Sequence, residues 1–156
     1  MCGRERTINK FRTFGIDRME NLELLDKFLP EEVEGAEEEI ELFKRRLGAA
    51  KPMDRYFKDG IVKPQLIKLW VSSFYLNYLK TKKLHYSQII TNETKEFVNF
   101  ARKEKMTYTM VTYVLVPNYD LIKIIVSGLG DIIIDEPKSL KKYIKYKFKG
   151  LTTMIL

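Results

Sequence analysis

The amino-acid sequence predicts an α+β protein in two parts. Short runs with period-two apolar alternation are separated by stretches with apolar residues three and four apart, so strands and helices both recur along the chain. The charge also changes sign part-way. Residues 1–50 carry 9 Lys/Arg against 12 Asp/Glu and residues 51–156 carry 19 against 9, an acidic part of about −3 before a basic part of about +10. At 156 residues, 45% apolar and 12% aromatic, there is enough material for a packed core.

The elements follow in order. Residues 4–28 read as strands: Phe11, Thr13 and Gly15 alternate with Arg12, Phe14 and Ile16, a second extended piece runs from Leu22, and Pro30 stops the ladder. Glu31 to Gly48 reads as a helix, with Ala36, Ile40, Phe43 and Leu47 along one stripe, acidic residues in its first turns, Lys44 to Arg46 in its last and Gly48 as the stop. Residues 49–63, with Pro52 and Gly60, read as a linker or an irregular crossing between the two parts. Gln65 to Val71 is a strand. Ser72 or Ser73 then caps a helix to about Lys83, whose buried stripe is expected to be Phe74, Tyr75, Tyr78 and Leu79. Leu84 to Ile90 is a short strand, and Asn92 to Lys103, with Phe97, Val98 and Ala101 at helical spacing, is expected as an additional helix. Met106 to Val116 is a long strand, Tyr119 to Ser127 a helix closed by Gly128, and Asp131 to Asp135 a strand. Pro137 opens a last helix, with Leu140, Ile144 and Phe148 inward and lysines outward. Strand, helix, strand, strand, helix, strand is the ferredoxin-like order, here with one more helix after it. That order fixes architecture and leaves function open.

Several function classes find no residues to carry them. Cys2 is the single cysteine, so no internal disulfide forms, and a reducing, cytoplasmic setting is expected. No apolar run approaches the roughly 20 residues that span a bilayer, and no membrane role is expected. One cysteine and one histidine make no zinc set, the sequence holds neither a Walker loop nor a dinucleotide fingerprint, and no cofactor is expected. His85, with Ser87 two residues on, is a weak catalytic pair, and the Glu37-Glu38-Glu39 cluster compensates a helix dipole. The chain is accordingly read as no enzyme.

Two sets of cations stay open to two readings. Arg12 and Arg18 beside Phe14 offer planar forks for phosphate or carboxylate, or are exposed strand arginines. Tyr143 to Lys147 alternates aromatic and basic residues, which suits base stacking with phosphate contact, through Lys141, Lys142 and Lys145, or a solvated helix face.

Five segments together resemble the C-terminal half of bacterial WYL-domain transcriptional regulators. Phe11-Arg12-Thr13-Phe14-Gly15-Ile16-Asp17-Arg18-Met19 is similar to the closing strand of the WYL domain, and the helix from Glu34 to Gly48 to the acidic helix after it. Leu76 to Gln88 resembles the family's Y-L-K-T-x-P-L-H-x-S-Q stretch, Val116-Pro117-Asn118-Tyr119-Asp120 its P-x-Y-D, and Gly130-Asp131 through Glu136-Pro137-Lys138-Ser139-Leu140 its G-D-x-x-x-x-E-P-x-S-L. Gly15 stands where the family pattern has arginine, and Lys83 where it has proline.

The resemblance implies partial Sm-like β-barrel strands and a helix over residues 1–48, a linker over 49–63, and a ferredoxin-like C-terminal extension with an extra helix over 64–150. It implies the C-terminal effector-sensing and dimerisation region of a regulator, a homodimer that does not read promoter DNA by itself. The effector would be a nucleic acid or nucleotide-like molecule held by Arg12, Arg18, Phe14 and Lys10. The helix-turn-helix and the WYL tripeptide of such regulators are not in the sequence, so a piece of a longer regulator or a decayed paralogue is expected. The alternative is a module that binds single-stranded nucleic acid or a nucleotide through its basic half.

Overall fold

The computed structural model describes residues 2–5, 10–13, 36–53, 55–128 and 130–148, with residues 2–5, 10–13 and 36 described as backbone only. The chain divides into two units, Met1–Lys44 and Arg45–Leu156. In the first, β1 (Cys2–Glu5) and β2 (Lys10–Thr13) pair antiparallel, Glu5 opposite Lys10 and Gly3 opposite Arg12. Helix α1 (Ala36–Lys44) has Glu37, Glu38 and Glu39 in its first turn and Lys44 in its last, the arrangement that suits its dipole. The strands expected beyond residue 13 lie outside the described residues.

The helix ends four residues before Gly48. Beyond Lys44, the Arg45 carbonyl accepts the Val116 N–H at 2.7 Å and Arg46 forms a parallel bridge to Val116, so the expected last helical turn is replaced by irregular backbone. Leu47, expected on the helix stripe, is buried in the core of the second unit.

That second unit is built on a four-stranded antiparallel sheet with order β4-β5-β3-β6, from β3 (Gln65–Ser72), β4 (Ile89–Asn99), β5 (Glu104–Leu115) and β6 (Ile132–Glu136). Central β3 pairs Gln65 with Leu115 and Ser72 with Tyr108 on one side, and Val71 with Ile132 on the other. Helices α2 (Ser73–Thr81), α3 (Tyr119–Ser127) and α4 (Lys138–Lys147) alternate with the strands. Ile67, Leu69 and Val71 of β3 join Val111, Tyr113 and Leu115 of β5, Leu76 and Leu79 of α2, Leu121, Ile122 and Ile125 of α3, and Leu140 and Ile144 of α4 in one core. The alternate residues of the sheet form a smaller apolar cluster of Trp70, Tyr108 and Met110, with Phe97, Met106 and Ile133 against it. Trp70 is therefore packing, capped by Lys95 Nζ at 4.7 Å from its ring centre.

Three further sequence expectations are corrected. Residues 92–99 belong to β4, and 100–103 to the turn that joins it to β5. Phe97 points to the Trp70 cluster while Val98, the next residue, is exposed, so the apparent helical spacing is a strand's alternation at a solvated sheet edge. Leu84 to Gln88 is likewise a loop, and β4 starts at Ile89. The buried stripe of α2 is Leu76 and Leu79 with Tyr75 partly covered, whereas Phe74 and Tyr78 are 62% and 47% exposed. Phe74 instead lies under the Arg102 guanidinium, 4.3 Å from its ring centre.

Residues 45–53 and 55–57 are irregular backbone packed on the second unit, not a free linker. Met53 and Phe57 are buried, Met53 N–H donates to Pro117 O at 3.3 Å, and Pro52 bridges Asn118. This packing carries Arg55 to Lys58 against α4.

Candidate functional site

Several polar residues of the segments noted in the sequence act as joints of the second unit. Gln88 is buried; its Nε2 donates to Leu79 O at 3.1 Å, and its Oε1 accepts from Leu84 N–H and from the Tyr113 hydroxyl, both at 3.1 Å. One side chain thus ties the end of α2 to the following loop and to β5. His85 Nδ1 lies 2.7 Å from Ser87 Oγ and accepts the Ser87 N–H at 3.2 Å. Ser87 Oγ in turn accepts the Val114 N–H at 3.0 Å, prolonging the β5 ladder where β4 has not yet begun. The pair thus has a structural task, holding a loop against a strand.

Asn118 caps α3 by accepting Leu121 N–H at 3.0 Å, and its amide donates to Leu47 O and Ala50 O. Asp120 Oδ2 accepts Ala50 N–H at 2.9 Å beneath Gly48, whose φ of +65° and crowding against that carboxylate exclude a larger residue. At the opposite joint, Asp131 Oδ1 accepts from Ser72 Oγ at 2.7 Å and from Asn99 Nδ2 at 2.9 Å, and Oδ2 lies 3.7 Å from the Arg102 guanidinium. Asn99 Oδ1 holds the Ala101 and Arg102 N–H groups, so this network closes the β4–β5 turn.

An open cleft of about 400 Å³ is lined by Arg55, Tyr56, Lys58, Ser139, Lys142 and Tyr143. Among the described residues three cations and no acid line it. Arg55, Lys58 and Lys142 are exposed, and Ser139 and Lys142 come from the first turns of α4, where the helix dipole adds positive potential. Tyr56 meets Tyr143 edge to face at 5.8 Å and Phe57 at 5.0 Å, which fixes the floor of the cleft. Burial pushes the Tyr56 phenol above its ordinary pKa, against the hydrogen bonds to Ser139 and Gln65, so it stays protonated. The second cavity is about 10 Å³, entirely apolar and walled by core residues such as Leu69, Tyr113 and Leu121; it is a packing gap.

Of the cations singled out in sequence, Lys142 lines the cleft. Lys141 and Lys145, four residues apart, form a separate ridge of α4 outside it. Lys10 and Arg12 lie on β2, whose side chains are outside the described set, and Phe14 and Arg18 lie outside the described residues altogether. Arg55, Tyr56 and Lys58 were hidden in the presumed linker. Their signal is the run Arg55-Tyr56-Phe57-Lys58, the same mixing of basic and aromatic residues as in Tyr143 to Lys147. Among the described residues no group of three or more His, Cys, Asp or Glu is placed to hold a metal ion, and no helix is long and apolar enough to cross a membrane.

No family model, curated protein or solved structure matches the chain.

Proposed function

We propose that the chain is the C-terminal effector-sensing and dimerisation region of a WYL-type transcriptional regulator, and that its second unit is the ferredoxin-like extension of such proteins. One observation carries the reading. The strand order β4-β5-β3-β6 with antiparallel neighbours is the order a ferredoxin-like βαββαβ chain takes, and the resemblance motifs fall on its joints: Gln88 after α2, Asn118 before α3, Asp131 before β6 and Ser139 in α4. Residues 1–44 then supply the end of the sensing barrel, with Lys10, Arg12, Phe14 and Arg18 toward the effector. In this reading the chain acts in the cytoplasm as a homodimer and catalyses nothing. Selection of bound duplexes from a random pool by the whole chain tests it: no enriched sequence is expected, and a motif preferred by about a thousandfold over random DNA would contradict it.

A second reading is favoured by a different observation. Arg55, Lys58 and Lys142 converge on one cleft with no acid among its described lining residues, which supports anionic-ligand or single-strand binding through the basic half. Such binding weakens with added salt. A flat salt titration contradicts this reading without touching the first.

A further inference from the structure

We infer that the Arg55–Lys142 cleft is a site for a small phosphorylated sugar, a phosphate ester that carries a free hydroxyl beside its phosphate. The inference rests on the second reading above and narrows it from any polyanion to one ligand class.

The charge selects the phosphate. Arg55 and Lys58 come from the segment before β3, Lys142 from α4, and all three line one cavity with no carboxylate among them. An arginine fork with two point-charge ammoniums is a donor set for the several oxygens of one phosphate group. The α4 N-terminus adds to the same field.

The hydroxyl selectivity follows from counting protons. Tyr56 Oη donates its single proton to Gln65 Oε1 at 2.6 Å. The 2.7 Å contact between Tyr56 Oη and Ser139 Oγ must then be donated by Ser139. Ser139 therefore faces the cleft with its proton already spent and only lone pairs to offer. It repels a second phosphate oxygen and accepts from a ligand hydroxyl. Donors at the rim and a fixed acceptor on the wall together match a phosphate next to an alcohol. Tyr56 and Tyr143 then supply apolar ring surface for the carbons of a sugar. A volume of about 400 Å³ accommodates a sugar phosphate and, at the open side, a base attached to it.

Calorimetric titration of the whole chain with ribose 5-phosphate, adenosine 5′-monophosphate, inorganic phosphate, ribose and an oligothymidylate of about twelve nucleotides tests this. Ribose 5-phosphate is expected to bind more tightly than inorganic phosphate, and ribose not to bind. R55A and K142A should each weaken the ester by about tenfold or more. S139A should weaken the ester and leave inorganic phosphate unchanged, with S139T restoring it; thermal melts verify that each variant folds. Tighter binding of the adenosine ester than of ribose 5-phosphate assigns the ligand to nucleotides, and equal binding to sugar phosphates, both within the inference. Equal binding of inorganic phosphate and ester, or binding indifferent to R55A and K142A, overturns it. Binding of the oligothymidylate alone overturns it while sparing the second reading, and binding of no anion overturns both.

Discussion

The Asn118 amide donates to the carbonyl of Leu47, 71 positions earlier in the chain, at 2.8 Å. The same side chain donates to Ala50 O at 3.1 Å and caps α3 through Leu121 N–H, so one fully buried residue fastens the N-terminal strap of the second unit to a helix start. N118A strands two carbonyls and one N–H, and should cost about 2–4 kcal/mol in chemical denaturation. N118D keeps the cap but turns a carboxylate toward two carbonyls, so its loss at neutral pH should be at least as large. A smaller loss in N118D than in N118A would show that the cap, and not the strap, carries the energy.

The Asp131 network at the other end of the sheet makes a second test. Asp131 holds Ser72 Oγ and Asn99 Nδ2 on the same oxygen, and its backbone carbonyl accepts Ser72 N–H at 2.8 Å. D131A should destabilise by about 2–3 kcal/mol. D131N retains an acceptor oxygen for both donors and should cost less, since only the attraction to partly exposed Arg102 disappears.

Helix α2 separates buried from exposed apolar residues within one turn. L76A and L79A should each cost about 2–5 kcal/mol, because both side chains pack in the core. Y78S should change stability by no more than about 0.5 kcal/mol. F74S should cost slightly more, through the lost Arg102 contact. Urea midpoints of the four variants check the order.

Four wholly or partly buried phenols make stability fall in alkali. Burial is the largest cause raising the pKa of Tyr56, Tyr75, Tyr108 and Tyr113 above the ordinary 10.0, most strongly at Tyr113, whose hydroxyl also donates to Gln88. Below pH 10 both folded and unfolded phenols are protonated and contribute no pH dependence. Above it the unfolded chain releases protons that the folded chain keeps, so stability declines as pH climbs from 10 toward the folded values. Y113F should flatten this decline more than any other single Tyr→Phe change, as read from urea midpoints on either side of pH 10.

How much of this was legible in sequence depends on where each signal is local. Helix α3 was readable to the residue, because Asn118 before it, Gly128 after it and the apolar spacing between them all act within the helix. Strand β4 was not, because an edge strand with Thr, Asn, Glu and Lys on its solvated side gives little alternation, and the register shift between Ile90 and Thr94 disrupts what remains. The α2 stripe was misread because aromatic residues outrank leucine in size, although cation–π contact and exposure claim Phe74 at the surface. The cleft was half visible. Lys142 stood out on a basic helix, but Arg55 and Lys58 lie in irregular backbone whose path is set by distant partners, Pro117 and Asn118, and no periodicity records that.

The central claim of the second reading, that the basic unit binds a small anion through one cleft, is tested most directly by an amide chemical-shift titration of the whole chain with ribose 5-phosphate. Saturable shifts should cluster at Arg55, Tyr56, Lys58, Ser139, Lys142 and Tyr143, the residues lining the cleft. Shifts confined to the β4–β5 turn around Asn99 and Arg102, or no saturable shift at all, would contradict it.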